Sequence, residues 1–319
     1  MNILITGITG YFGAHLAQEF SGLGKIHGLK RPNSNLDLLQ KATFPIVWHE
    51  GDIADLDSLM DAMSGIDLVV HAAGMVSFAT KDEDQLYQVN SLGTAQVVNA
   101  MLSTGVKRLV HISSVSAIGR TTEVKEYNED FKWIDSPLNS GYAISKYWAE
   151  LEVWRGEQEG LEPIVVNPSV LLGKTNYPKS SGTLYNYLLQ EPIFYPKGSL
   201  NYIDIRDAAR ITRLLVEKNA WGERFILNKE SQSYQHFFTQ VAKALGVKAP
   251  RIPVSNGMLK LFLPFLSLFK WIGLSKSQLS SQMAKNSQMK INYSNSKIQA
   301  LLDFKYRSLE ETLDWAKMP

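Results

Sequence analysis

Short apolar runs alternate with longer amphipathic segments along the first half of the chain. The runs have the length of β-strands and are continuously hydrophobic, as is typical of strands buried on both faces. Strand–helix–strand repetition favours an α/β fold with a doubly wound parallel sheet. The expected strands are residues 2–6, 25–30, 45–51, 67–73, 108–114 and 163–169, and the expected helices are residues 11–23, 55–64, 83–104 and 141–159.

The regular alternation of strand-like and helix-like segments ends after Ser169. Residues 173–200 are rich in Gly, Pro, Ser, Tyr and Asn, whereas residues 201–228 again contain strand and helix patterns. Helices and loops dominate beyond Lys229. We therefore expect a large sheet domain and a smaller, mostly helical domain. The large domain would comprise residues 1–168 and 201–228, and the smaller one residues 173–200 and 229–319.

Residues 257–273 form the most apolar stretch of the chain, yet Lys260, Pro264 and Lys270 interrupt it. It is too short and too interrupted to cross a bilayer. In helical projection its polar residues share one side, which predicts an amphipathic helix. We favour a helix that covers the domain or a substrate pocket over one that lies on a membrane surface, because the basic face is thin.

Composition narrows the function classes. The chain has 319 residues, 45% of them hydrophobic, with 33 Lys plus Arg against 31 Asp plus Glu, so the net charge is +2. That charge argues against a nucleic-acid partner. The absence of cysteine excludes disulfides and thiolate sites, and the six histidines show no metal-ligand spacing, so no metal is expected. The first strand-like run begins at Asn2, and we expect no signal peptide and a cytoplasmic location.

Three glycines, Gly7, Gly10 and Gly13, lie between the first strand and the first helix. In such a turn the first glycine permits the tight bend, the second lets backbone N–H groups approach a pyrophosphate, and the third lets the helix pack closely. Because the triplet follows a predicted strand and opens a predicted helix, it predicts a dinucleotide site. The large domain would then bind the dinucleotide and the smaller domain the substrate.

The second strand ends at Lys30 and Arg31, where NAD-selective sites usually carry an acidic residue. A guanidinium suits a 2′-phosphate, so Arg31 favours NADP, with NAD as the alternative. Arg31 would otherwise be a solvated strand-end residue. Asp52 would either accept a hydrogen bond from adenine or cap the following helix.

Tyr142 and Lys146 are four residues apart on a predicted helix, which places both on one face. A neighbouring ammonium would stabilise the phenolate and lower the pKa of the tyrosine. Ser114 ends a predicted strand, where a doubly wound sheet binds its ligands, and would polarise a substrate oxygen. Alone, this Tyr–Lys spacing also occurs on exposed helix faces.

Further motifs arrive in order at the strand ends: HAAG at 71–74, Asn90 in VNSLGT and NPSVLLG at 167–173. Together with the glycine turn and the Tyr142/Lys146 pair, they resemble the extended short-chain dehydrogenase/reductase superfamily, which contains the NAD(P)-dependent epimerase/dehydratase family. This resemblance extends over nearly the whole chain. LKRPNSN and HAAGMVSF are similar to the dihydroflavonol reductase-like branch.

The resemblance implies a Rossmann fold and a role for each matching residue. Tyr142 would be the general acid/base, Lys146 its pKa partner and a ribose ligand, and Ser114 the donor that orients the substrate oxygen. Asn90 would support the proton relay. The expected cofactor-binding residues are Gly7, Gly10, Tyr11, Phe12, Gly13, Arg31, Asp52, Ile53, Ala72, Ala73, Gly74, Tyr142, Lys146, Pro168, Ser169 and Val170.

These observations predict an NADP(H)-dependent oxidoreductase that transfers hydride between nicotinamide and a ketone, aldehyde or secondary alcohol, with an apolar small-molecule substrate. The alternatives are a nucleotide-sugar epimerase or dehydratase with tightly bound NAD, and a non-catalytic dinucleotide-binding sensor. Helices 83–104 and 141–159 are compatible with a homodimer interface and equally with a monomer.

Overall fold

The computed structural model describes residues 1–175, 177, 182–255, 257–258 and 281–318. Strands and helices alternate as the hydrophobic pattern predicts. The strands are β1 (Asn2–Thr6), β2 (Lys25–Lys30), β3 (Ile46–Glu50), β4 (Leu68–His71), β5 (Arg108–Ile112), β6 (Glu126–Tyr127), β7 (Glu162–Pro168), β8 (Val170–Leu172), β9 (Phe194–Tyr195), β10 (Ser199–Asp204), β11 (Glu223–Leu227), β12 (Glu230–Ser233), β13 (Ile252–Pro253) and β14 (Asn292–Tyr293).

The helices of the described residues flank these strands. They are α1 (Tyr11–Phe20), α2 (Leu56–Met63), α3 (Glu83–Leu86), α4 (Gly93–Thr104), α5 (Gly141–Gln158), α6 (Gly182–Leu189), α7 (Ile205–Glu217), α8 (Tyr234–Leu245), α9 (Ser281–Asn286), α10 (Ser296–Leu302) and α11 (Leu309–Lys317).

Seven parallel strands form the central sheet in the order β11-β7-β5-β4-β1-β2-β3. The chain builds outward from β1 to β3 and then returns to β4 on the other side of β1. This reversal of strand order lies at the carboxyl ends of β1 and β4, and open α/β sheets bind ligands at such a position. The predicted doubly wound Rossmann fold is confirmed.

The two faces of the sheet are buried against different helices. Ile3 and Ile5 pack in one core with side chains of α1 and α7, whereas Leu4 packs in a second core with side chains of α2, α4 and α5. Successive side chains of a strand point to opposite faces, so a strand between two helical layers must be apolar at every position. This burial explains the continuous apolar runs.

The helix expected over 83–104 is interrupted. A π-helical turn, Tyr87–Leu92, separates α3 from α4. Within that turn the side chain of Asn90 bonds to Met75 and to Ser145. An α-helical pattern of apolar residues does not reveal one wider turn, and such turns often occur at functional sites.

A second, three-stranded sheet has the order β12-β10-β8 and packs against α6, α8 and α11. The expected boundary at residue 201 is therefore displaced: β10 belongs to this small sheet, because Tyr202–Asp204 pairs with Val170–Leu172. Helix α7 and β11, by contrast, lie with the large sheet. Tyr185 and Tyr195 are buried in the core of the small sheet.

Among the described residues, no helix is long and apolar enough to cross a membrane. The amphipathic helix expected at residues 257–273 falls outside the described residues apart from 257 and 258.

Candidate functional site

The glycine turn after β1 has the geometry that its sequence predicts. Gly7 has a φ of +69°, and a Cβ there would lie 2.5 Å from the backbone nitrogen of Ala73. A Cβ on Gly13 would lie 2.1 Å from the carbonyl oxygen of Gly7, so α1 packs directly on the turn. Only glycine is accommodated at these two positions.

Gly10 is the N-cap of α1, and no side chain of the described residues caps this end of the helix. A Cβ on Gly10 would lie 3.1 Å from the carbonyl oxygen of Gly7. Uncapped N–H groups at a helix N-terminus suit an anionic group, and the local dipole favours negative charge. The turn therefore fits the pyrophosphate of a dinucleotide.

The segment after β4 lies beside this turn. The Ala72 N–H donates to the carbonyl oxygen of Thr6 at 3.1 Å, and the Ala73 N–H approaches the Thr6 hydroxyl at 3.4 Å. Gly74 faces the side chain of Asn90, because a Cβ there would lie 3.2 Å from Oδ1. The structure thus brings together the predicted residues Ala72, Ala73 and Gly74 and the glycine turn.

The two side chains that follow Gly10 point in different directions. Phe12 packs against the core that the sheet forms with α1 and α7. Tyr11 stacks on Tyr177 with ring centroids 4.1 Å apart, and its hydroxyl accepts from the Lys174 N–H. Burial raises the pKa of Tyr11 to about 12. Tyr177 and Lys174 were not predicted as neighbours of the turn, because their segment has no periodic pattern.

Arg31 lies exposed just beyond β2, and its backbone N–H donates to the Ser34 hydroxyl at 3.1 Å. The Ser34 N–H donates back to the Arg31 carbonyl at 3.0 Å, which closes a turn. Lys30 faces Glu50 at 3.5 Å instead. Arg31 is thus exposed at the carboxyl end of β2, and Ser34, which bonds to the Arg31 backbone, is a neighbour that the sequence did not single out.

Asp52 does not cap α2. Its carboxylate accepts from the Ala54 N–H at 3.0 Å, whereas the N-cap is Asp55, which accepts from Asp57. The capping alternative for Asp52 is therefore excluded. The neighbouring Ile53 packs against the start of α4, where a Cβ on Gly93 would lie 2.7 Å from its Cδ1.

Ser114 and Tyr142 meet through their side chains. Ser114 follows β5 and caps a short 3-10 helix, Val115–Ile118, by accepting from the Ser116 N–H at 3.1 Å. The Ser114 hydroxyl lies close enough to Tyr142, in the first turn of α5, to act on the pKa of the phenol. Ser116 occupies one acceptor position of the Ser114 oxygen, and the hydroxyl keeps its proton to donate.

Tyr142 is partly buried beside Phe78, whose ring meets it edge-on with centroids 5.6 Å apart. Burial raises the pKa of Tyr142, and the Ser114 hydroxyl acts in the opposite direction. The net shift is upward, opposite to the lowering by Lys146 that the sequence predicts, because burial outweighs the other influences on the phenol.

Lys146 is 4% exposed, and its Nζ donates to the carbonyl oxygen of Ile112 at 2.8 Å. Burial lowers the pKa of Lys146 to about 8, and the nearby carboxylate of Glu150 opposes that shift. The ammonium is therefore held at the end of β5, close to the segment that carries Ser114.

Asn90 is 1% exposed and is fully engaged. Its Nδ2 donates to the Met75 carbonyl and to the Ser145 hydroxyl, both at 2.9 Å, and its Oδ1 accepts from the Met75 N–H at 2.7 Å. Ser145 donates in turn to the Tyr142 carbonyl at 2.9 Å. Asn90 therefore ties the loop after β4 to the helix that carries Tyr142.

Pro168, Ser169 and Val170 lead from the large sheet into the small one. Pro168 ends β7, and Val170 begins β8. Both the backbone N–H and the hydroxyl of Ser169 contact the Leu227 carbonyl, at 3.0 and 3.2 Å. This crossing fixes the segment at the same edge of the sheet as Ser114.

In the part of the chain that the structure describes, no group of three His, Asp or Glu side chains could hold a metal ion. His71 and His111 are buried in β4 and β5, with ring centroids 5.4 Å apart. Burial lowers the pKa of both rings, that of His71 to about 3. Both are therefore neutral residues of the sheet interior.

Comparison with known proteins identifies the family of the chain and similar sequences. Residues 3–227 match the NAD dependent epimerase/dehydratase family. A putative dihydroflavonol 4-reductase of Synechocystis sp. is 32% identical over 275 residues, 84% of this chain and 77% of that protein. Sterol demethylase protein B of Methylococcus capsulatus is 27% identical over 259 residues, 80% of this chain and 77% of that protein.

A solved structure shares the fold. The UDP-glucuronic acid 4-epimerase from Bacillus cereus in complex with NAD superimposes with a TM-score of 0.76. The two chains are 21% identical, and the match covers 99% of this chain and 97% of that one. This chain therefore has the fold of that solved structure.

Proposed function

The chain belongs to the NAD dependent epimerase/dehydratase family, an extended short-chain dehydrogenase/reductase group of enzymes, and on that basis we propose that it is an NADP(H)-dependent oxidoreductase. It would transfer hydride between the nicotinamide and the carbon of a ketone, aldehyde or secondary alcohol. The observation that carries the proposal is the proximity of the Ser114 hydroxyl to the Tyr142 phenol, with Lys146 buried one helical turn away.

The proposed division of labour follows from the contacts of each group. When bound, the cofactor supplies or accepts the hydride. Ser114 orients the substrate oxygen, and Tyr142 exchanges a proton with it as charge develops. Lys146 holds positive charge beside that transfer and is expected to contact the nicotinamide ribose. Asn90 keeps the loop after β4 in register with α5, so that the catalytic helix does not shift.

The proposed cofactor site follows the edge of the sheet. Gly7, Gly10 and Gly13 would receive the pyrophosphate, with Tyr11 and Phe12 contributing their backbone N–H groups. Asp52 and Ile53 would lie beside the adenine, and Ala72 to Gly74 beside the adjoining ribose. Pro168, Ser169 and Val170 would line the nicotinamide. These assignments rest on the glycine cradle and on the position of each segment at a carboxyl strand end.

NADP is proposed over NAD because of Arg31. An exposed guanidinium at the end of β2, paired through its backbone with Ser34, can form charge-assisted hydrogen bonds to a 2′-phosphate. In an NAD site this position would usually hold the acidic residue that binds the ribose hydroxyls.

The small domain is the proposed substrate domain. The names of two relatives, a putative dihydroflavonol 4-reductase and a sterol demethylase protein, support an apolar, ring-containing substrate. Phe78, which meets Tyr142 edge-on, supplies an apolar contact next to the proposed proton donor.

A homodimer is proposed through the outer face of residues 83–104 and α5. Leu92, which ends the π-helical turn, is 38% exposed, and Trp148 and Leu151 on α5 are 43% and 45% exposed. Light scattering of wild-type protein and Trp148→Glu tests this: a dimer that becomes a monomer supports the interface, and a wild-type monomer overturns it.

Cofactor selectivity is the first test. Cofactor-stripped protein is titrated with NADPH and with NADH by fluorescence, alongside Arg31→Ala and the control Lys25→Ala, an exposed residue at the opposite end of β2. Arg31→Ala should weaken NADPH binding at least about 10-fold, since hydrogen bonds to charged groups contribute about 1.5–3 kcal/mol. NADH binding should change little, and Lys25→Ala should affect neither.

A preference of the wild-type protein for NADH, or NAD that cannot be stripped from it, would contradict the NADP assignment. Either result would favour a nucleotide-sugar epimerase or dehydratase that retains and recycles its NAD. A screen of apolar ketones and aldehydes with NADPH completes the test, because a reductase must consume NADPH in proportion to alcohol formed.

A further inference from the structure

Glu150 lies on α5, one helical turn after Lys146, and is only 1% exposed. It has no role in the proton transfer proposed above. Burying a carboxylate is unfavourable unless the charge is paired and its oxygens are hydrogen-bonded. The partners of Glu150 therefore indicate what the residue does.

Those partners come from three neighbouring strands. Oε1 accepts from the Ser113 hydroxyl at 2.5 Å and from Asn167 Nδ2 at 2.6 Å, and Oε2 pairs with the Arg224 guanidinium at 2.5 Å. Ser113 follows β5, Asn167 lies in β7 and Arg224 lies in β11. One carboxylate thus joins α5 to the carboxyl ends of β5 and β7 and to the edge strand of the sheet.

The same partners adjoin the proposed site. Ser113 immediately precedes Ser114, and Asn167 immediately precedes Pro168. Asn167 Nδ2 also donates to the Ser114 carbonyl at 2.8 Å. A substitution of Glu150 would therefore alter the position of Ser114, the proposed donor to the substrate oxygen, and of the segment that begins at Pro168, which is proposed to line the nicotinamide.

The charge of Glu150 also acts on Lys146. Residues four apart on a helix are neighbours, and a carboxylate in that position favours the charged form of the lysine. Burial lowers the pKa of Lys146, and the Glu150 charge opposes this shift. The other titratable or charged groups that face this region are neutral His71 on β4, neutral His111 on β5, Tyr142 on α5 and Arg224 on β11.

We propose that Glu150 is a positioning residue: its carboxylate fixes Ser113 and Asn167 against α5 and holds Lys146 as an ammonium. The catalytic consequence rests on the proposed function, whereas the effect on Lys146 is a property of the cofactor-free chain.

The test measures Lys146 directly. Cofactor-free protein with isotope-labelled lysine is titrated by NMR, and the Lys146 resonance is assigned by its loss in Lys146→Arg. Glu150→Gln keeps the shape of the side chain and removes its charge, so Lys146 should titrate about 1 pH unit lower. The matched control is Glu152→Gln on the same helix, where the half-buried carboxylate pairs with Arg155 and not with Lys146.

Arg224→Gln supplies a second, independent variant. It removes the cation that neutralises Glu150, so Lys146 should titrate at higher pH than in the wild-type protein. A merely structural role would move both variants in the same direction or leave the lysine unchanged. If Glu150→Gln does not fold, the upward shift in Arg224→Gln carries the test, and its absence overturns the proposal.

Activity measurements separate the role of Glu150 from the proposed oxidoreductase function. In an active enzyme, Glu150→Gln should move the alkaline limb of the kcat/KM profile to lower pH by the amount that the Lys146 resonance moves. An unchanged Lys146 titration overturns the role of Glu150 even when the enzyme reduces carbonyls. A wild-type protein that reduces none overturns the proposed function, while the titration still decides the role of Glu150.

Discussion

Ser114 and Tyr142 lie side by side, although one follows a strand and the other begins a helix, and the Ser114 hydroxyl acts to lower the pKa of the phenol. The Ser116 N–H occupies one acceptor position on the Ser114 oxygen, and the hydroxyl keeps its proton to donate. A substrate oxygen placed between the two hydroxyls would accept a hydrogen bond from each residue. The free protein therefore already holds the two groups next to each other.

Removal of either hydroxyl should separate chemistry from cofactor binding. Tyr142→Phe is expected to lower kcat about 10²- to 10⁴-fold, the usual contribution of general acid/base catalysis. Ser114→Ala should lower it about 10²- to 10³-fold, as loss of one oxygen-stabilising donor does. Steady-state NADPH oxidation checks both values, with NADPH affinity by titration as the control. Unchanged turnover in Tyr142→Phe would contradict its proposed role.

The sheet could be predicted from the sequence because burial on both faces leaves a continuous apolar run. β1, β2 and the ends of α5 lie within one residue of expectation. The fold of residues 199–204 could not be predicted in the same way. β10 has a buried strand pattern that fits either sheet, and its pairing with β8 and β12 assigns it to the small one.

Residues of the candidate site could be predicted where they form a motif within one short segment of the sequence. The glycine triplet and the Tyr142/Lys146 pair are such local signals. The network around Glu150 is not local, since its partners Ser113, Asn167 and Arg224 are distant in sequence. A partial signal was available, because an acidic residue four positions after Lys146 lies on the same helix face. Pattern alone did not show that this face is buried.

The glycine turn predicts different outcomes for two alanine variants. Gly13→Ala should destabilise the protein, because its Cβ would lie 2.1 Å from the Gly7 carbonyl oxygen. Gly10→Ala should fold with a small local shift, since its nearest contact, at 3.1 Å, is only slightly too close, but its methyl group would obstruct the pyrophosphate. We expect at least about a 10-fold loss of NADPH affinity in Gly10→Ala, equivalent to about 1.4 kcal/mol.

Thermal unfolding and cofactor titration check this pair, with Gly22→Ala as control because its Cβ would make only an ordinary 3.6 Å contact. A Gly10→Ala protein that binds NADPH as tightly as the wild type would refute the location of the pyrophosphate.

His111 should limit the stability of the protein in acid. It is completely buried, and among the described residues neither ring nitrogen has a hydrogen-bond partner. Burial lowers its pKa well below the usual value, with smaller contributions from Lys146 and His71 in the same direction. The unfolded chain therefore binds a proton that the folded chain cannot, and stability is full above about pH 6.5 and falls as the pH decreases.

His111→Leu removes both the unpartnered nitrogens and this proton linkage. The free energy of unfolding of His111→Leu minus that of the wild type should be about 2 kcal/mol larger at pH 5 than at pH 7, because the variant lacks the acid-induced loss of stability. Urea denaturation of cofactor-free protein at the two pH values gives the difference, with His236→Leu, a change of an exposed histidine, as the control. Because neutral His71 remains in the variant, some acid sensitivity should persist. An equal effect of His111→Leu at both pH values would show that the His111 ring is protonated within the folded protein.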